Sequence, residues 1–122
     1  MTENMTSLAT KDNEGNLAIL INYAEKYFDE SLPDVKIPVK IAGVDGKKKV
    51  SVWKIDRENT NPYRVFLKEN MDKNLNEEQI AYLRDVATLK PETFVLDANG
   101  ELELEITTTA NGTVLIQVED EV

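Results

Sequence analysis

Twenty-three carboxylates and not one histidine set the terms on which this 122-residue chain could do chemistry. Two acids flanking a glycosidic bond are one possibility, but one of them must sit in an apolar pocket that raises its pKa. Glu101, Glu103 and Glu105 alternate with Leu102, Leu104 and Ile106, so they share the wet face of a strand and fail that test. Asp56 and Glu58, in the stretch Ile55-Asp56-Arg57-Glu58-Asn59-Thr60-Asn61-Pro62-Tyr63, are better placed. Even there, helix capping and loop hydrogen bonding are the plainer roles. Without His, the usual general base, metal ligand and triad member are missing. Ser7, Ser31 and Ser51 have no evident activating partner, and the five glycines are spread over turns rather than gathered in a phosphate cradle. Asp12-Asn13-Glu14-Gly15-Asn16 and Asp97-Ala98-Asn99-Gly100-Glu101 lack the full ligand spacing of calcium loops and read as ordinary turns. Trp53, Tyr63 and Phe66 could stack on a sugar ring, although a Trp within a strand is more often core. No metal or other cofactor is expected.

These residues have to be positioned by the elements around them. Residues 1–15 lack periodicity and read as an N-terminal extension, with Thr6 to Thr10 a candidate edge strand. Leu17 to Ile21 is a continuous apolar run, expected as a strand covered on both faces. Glu25 to Asp34, closed by Pro33, reads as a connection. Ile37, Val39 and Ile41 alternate along a strand in which Pro38 points to an edge position or to a point where no ladder donor is needed. Gly43-Val44-Asp45-Gly46 is expected to turn the chain back into a strand from Lys49 to Ile55, with apolar residues on both sides. After the hinge, Asn61 and Pro62 start one helix, and Asn76-Glu77-Glu78-Gln79 starts a second with Ile80, Leu83 and Ala87 inward. The helical excursion spans about 62–90 and stops before Lys90-Pro91. Asn99-Gly100 predicts a two-residue hairpin between Thr93–Leu96 and Leu102–Ile106, and Asn111-Gly112 precedes a last strand through Val114, Ile116 and Val118. The sum is a mainly β domain over 16–122: an antiparallel β-sandwich of six to seven strands, immunoglobulin- or fibronectin-like, with a two-helix insertion.

Composition bounds the function classes. The chain is long enough for one core, and 41% apolar with 30% charged residues is the balance of a soluble globular domain. A formal net charge of -9 argues against nucleic acid, since phosphate binding needs clustered cations. Lys47-Lys48-Lys49 follows Asp45-Gly46 and reads as a solvated turn. The absence of Cys removes disulfide and thiolate chemistry. No apolar run approaches a membrane span, and the polar Met1–Met5 does not resemble a signal peptide, which slightly favours the cytoplasm.

The hinge carries a resemblance. It is similar to the C-terminal region of glycoside hydrolase family 39, the β-xylosidases and their α-L-iduronidase relatives. There a strand ending in Ile-Asp is followed by a loop of the form x-x-His-Ser-Asn-x-Tyr and a helix carrying a Trp. Ile55-Asp56 matches, Asn61 and Tyr63 fall in register, Phe66 replaces the Trp, and Asn59-Thr60 stands in for His-Ser. Asn74 to Leu83 corresponds to that family's second helix, Leu17 to Tyr23 to its apolar strand ending in Asn-Tyr, and Val35 to Val44 to its next strand. About four-fifths of the chain is covered, a domain-level match. In that family the catalytic glutamates lie on a (β/α)8 barrel of well over about 200 residues, for which this chain has no room. The resemblance therefore implies the accessory β-sandwich that packs on the barrel, with no catalytic residue to carry over. Trp53, Asp56, Glu58, Asn61, Tyr63 and Phe66 become candidate contacts to a barrel or to carbohydrate.

Three readings follow. The first is a non-catalytic accessory domain that stabilises a barrel on the same or a separate chain. The second is a stand-alone carbohydrate-binding module, and the third a protein-interaction sandwich unrelated to sugars.

Overall fold

The computed structural model describes residues 5–24, 34–109 and 111–120. The connection expected over Glu25 to Asp34 lies outside them, except for Asp34. Five strands and two helices follow in the order β1 (Met5–Lys11), β2 (Leu17–Tyr23), β3 (Val35–Ile55), α1 (Pro62–Lys68), α2 (Glu77–Ala87), β4 (Glu92–Thr108) and β5 (Thr113–Asp120). The protein is mainly β. All five strands pair antiparallel in one sheet of order β1-β2-β5-β3-β4, with Thr6 to Thr10 lying in its first edge strand.

Among the described residues the count is five rather than the expected six to seven, because two expected turns are bends inside long strands. Residues 35–55 run on through Gly43–Gly46, and 92–108 run on through Asn99-Gly100. The two bends lie opposite each other in the β3–β4 ladder, where the register steps from Ala42↔Glu101 to Asp45↔Asn99. Three steps on β3 against two on β4 make a one-residue bulge. Gly43 (φ 78°), Gly46 (φ 91°) and Gly100 (φ 78°) take the left-handed conformations that the bend requires. The Gly100 N–H donates to Asp45 Oδ1 at 2.6 Å and ties the two strands together there.

The bulge flips the inward positions of β3 from odd (Ile37, Val39, Ile41) to even (Val50, Val52), while those of β4 stay even throughout. Beyond the bend, residues 35–42 and 101–108 pair only with each other, as an arm. Ile37 and Val39 on that arm line one groove with Met5, Ile19 and Ile21, so the arm lies over the inner face of β1 and β2. Ile37, Leu102 and Ile106 thereby join Ile21, Val50, Val52, Val114, Ile116 and Val118 in a single core. The arrangement is compatible with a sandwich, although hydrogen bonding passes through as one continuous sheet. Pro38 sits on the arm's open edge, where its missing donor costs no ladder bond.

The outer face is less covered than the apolar runs suggested. Leu20 is 42% and Ile55 48% exposed, so β2 and the end of β3 are covered on one side only. The helices start where expected. Asn61 caps α1 by accepting from Arg64 N–H at 3.3 Å, and Asn76 and Gln79 form a reciprocal capping box at 2.8 and 3.0 Å. Neither helix holds a buried residue, and their tertiary contacts are mainly with each other. Ile80, expected inward, is exposed, Leu83 is half-buried, and Ala87 faces solvent.

Candidate functional site

The hinge between β3 and α1 is organised by one carboxylate. Asp56 is buried, at 6% exposure, and both of its oxygens accept hydrogen bonds. Oδ1 accepts from the Glu58 N–H (2.9 Å), the Asn59 N–H (2.8 Å) and Asn59 Nδ2 (2.8 Å), which closes the loop on itself. Oδ2 accepts from the Thr108 hydroxyl at 2.9 Å and the Thr109 N–H at 3.4 Å, fastening the loop to the end of β4. The Arg57 N–H adds a bond to Thr109 Oγ1 at 2.8 Å. Gly112 completes the joint. A Cβ there would stand 2.2 Å from Thr108 Oγ1 and 2.9 Å from Asp56 Cβ, so no larger residue fits without displacement.

Burial pushes the Asp56 carboxyl up, but the donors from Asn59, Thr108 and the backbone N–H groups of Glu58 and Asn59 outweigh it and hold it below the ordinary aspartate value. A general acid needs the opposite. Glu58 is likewise held low, first by the Lys68 ammonium at 2.9 Å, against some desolvation, then by the fields of Lys68, Arg64 and Arg57. Arg64 Nε is 3.3 Å and Arg57 Nε 3.7 Å from its Oε1. The chemistry of both acids is that of anchors, one for the hinge loop and one for the first turns of α1.

Asn61 acts as the cap described above and also donates from Nδ2 to the Arg57 carbonyl at 3.1 Å. Thr60, with φ at 55°, donates its hydroxyl to the Lys54 carbonyl at 2.8 Å, bending the chain from strand to helix. Tyr63 and Phe66 stack on one another, with ring centroids 6.4 Å apart and planes 11° from parallel. Tyr63 is 66% exposed. Trp53 lies on the outer sheet face, paired with Leu115 of β5. The cavity beside the hinge, about 230 Å³, is lined by Lys54, Asn59, Thr60, Asp85, Lys90 and Glu92 among others, and includes neither Asp56 nor Glu58.

The other expected chemistries fall on ordinary structure. Asp12 Oδ1 accepts from the N–H groups of Glu14 (2.8 Å) and Asn16 (2.9 Å), so its oxygens close a turn. Asp97 to Glu101 lies within β4. No cluster of three or more metal-ligating side chains occurs among the described residues. Nor is any described helix long and apolar enough to cross a membrane. Sequence reasoning missed Thr108, Thr109 and Gly112, which are more than fifty residues from Asp56 and carry no local signal. The cations around Glu58 had one: Arg64 and Lys68 are four apart and share a helix face.

No protein-family model matches the sequence, and no curated protein does. Solved structures do match. A glycoside hydrolase family 39 enzyme from Xanthomonas axonopodis pv. citri superimposes with a TM-score of 0.78 at 18% identity, over 94% of this chain and 26% of that one. A monomeric β-xylosidase from Caulobacter crescentus CB15 gives 0.76 at 20% identity, over 95% and 26%. A bacterial orthologue of human α-L-iduronidase gives 0.77 at 18% identity, over 97% and 22%. The chain thus spans about a quarter of the length of the enzymes it matches. Nearly all of this protein has the fold of a portion of glycoside hydrolase family 39 enzymes, the group that its hinge resembles.

Proposed function

We propose that the chain is a non-catalytic accessory domain of a β-xylosidase-like glycoside hydrolase, packing on and stabilising a (β/α)8 barrel supplied by the same or another chain. One observation carries the reading: 94 to 97% of this chain is accounted for by 22 to 26% of each matching enzyme. That share leaves the greater part of each enzyme for a catalytic unit. The site agrees in kind. Asp56 and Glu58 are held ionised by donors and cations, which suits anchors rather than a proton donor to a leaving oxygen. The helical excursion agrees as well, with Leu67 45% and Tyr82 46% exposed on helices that hold no fully buried residue, and Leu89 48% exposed just beyond α2. Such side chains are suited to an interdomain contact.

The purified chain is expected to release no nitrophenol from aryl β-xylosides. Turnover that co-purifies with the chain through repeated chromatography, and disappears in an Asp56→Asn or Glu58→Gln variant, would defeat the reading.

A further inference from the structure

We propose that β1 is a dimerisation strand, pairing edge to edge and antiparallel with β1 of a second copy about a two-fold axis through Leu8. Among the described residues the sheet has three edges without a ladder partner, and they differ in kind. β4 carries Glu92, Asp97, Glu101, Glu103 and Glu105 along its length, and the arm of β3 carries Lys36, Pro38 and Lys40. Charges and proline on an edge are what keep other strands from adding to it. β1, Met5-Thr6-Ser7-Leu8-Ala9-Thr10-Lys11, has no proline, no bulge against β2 and no charge before its last residue, in a chain of net charge -9. It is the terminal strand of the sheet, and its side chains from Thr6 onward are exposed.

The register explains why a second copy fits. Leu8 pairs with Leu20, Leu20 with Leu115, and Leu115 with Trp53, so these four form one apolar row straight across the outer face. Leu8, at the end of the row, is 62% exposed. It is also the middle residue of β1. A two-fold axis perpendicular to the sheet therefore sets Leu8 of one copy against Leu8 of the other and Thr6 against Thr10. The row then runs unbroken from Trp53 to Trp53 over a ten-stranded sheet. Lys11 falls opposite Met5 rather than opposite itself, so no like charges meet at the seam. The contact is isologous and closed, leaving only the charged edges outward. This inference is independent of any role beside a catalytic barrel.

Sedimentation velocity on the whole chain, from low micromolar upward, tests it. The expected mass is that of two copies. Leu8→Lys and Leu8→Glu each set like charges face to face and are expected to give monomers with unchanged circular dichroism. An equimolar mixture of the two is expected to recover the dimer, which a folding defect could not do. A wild-type chain that stays monomeric up to about 1 mM overturns the proposal and leaves the edge to a strand of some other protein. A dimer that survives both substitutions overturns it too, by placing the contact elsewhere, such as on the exposed helices.

Discussion

Asp56 holds the hinge to the sheet, and it does so as an anion. Its five acceptor bonds join a loop at residues 56–59 to the end of β4. In the folded chain its pKa lies below the ordinary value of 3.8, so the unfolded chain takes up the proton first as pH falls. The resulting stabilisation is complete above the ordinary aspartate range and is lost as pH drops through the lowered folded value. Melting temperature is expected to fall below about pH 4 in the wild type and to fall less steeply in Asp56→Asn. At neutral pH that variant turns an amide donor toward the Thr109 N–H or toward those of the loop, and is expected to cost about 1–3 kcal/mol. Thermal denaturation of both proteins between pH 2.5 and 7 measures both effects; parallel curves would remove Asp56 as their source. That Asp56 belongs to a special stretch was legible in the sequence. Its partners were not, since Thr108 and Thr109 become neighbours only when β4 returns alongside β3.

At the scale of elements, the helix signals were local and they held. Asn61-Pro62 and Asn76 with Gln79 are caps whose donors and acceptors lie within four residues, so composition alone places them. Asn76→Ala is expected to cost about 1 kcal/mol. Because α2 holds no fully buried residue, that loss should stay in the helix: amide exchange over 77–87 speeds up about fivefold while the amides of β5 are unchanged. Equal acceleration in both would mean that α2 opens only with the sheet. The turn signals, by contrast, misled. Asn99-Gly100 in a two-residue hairpin would set Leu96 against Glu103, whereas the inward apolar residues keep to even-numbered positions on both sides of Gly100, from Phe94 to Ile106. That unbroken phase marks one strand. The switch from Ile41 to Val50 in β3 marks a bulge, and it too was readable.

Over the whole molecule, one core serves both the sheet and the arm folded over it. Val50, Val114 and Ile116 are fully buried and belong to the same cluster as Ile37 and Ile106 on the arm. Truncating Ile116 to Ala is expected to cost about 2–5 kcal/mol. The loss should appear as a lower midpoint in a single urea transition, with Trp53 fluorescence and far-ultraviolet circular dichroism moving together. Two separated transitions would show instead that the arm folds apart from the sheet. The outer face is another matter: Leu8, Leu20 and Ile55 are left to solvent, and no pattern in the chain distinguishes an apolar residue that is covered from one that waits for a partner.

From the sequence alone came the strand class, both helix starts, the edge position of Pro38, the anchoring place of Asp56 and the absence of any His- or Cys-based chemistry. Each of these depends on residues a few positions apart or on composition. Tertiary structure decided the rest: five strands instead of six to seven, the arm over β1 and β2, the clasp of Asp56 on Thr108, and which apolar side chains are covered. Those outcomes turn on register between strands distant in the chain, and a one-residue bulge is enough to change which side of a strand faces the core.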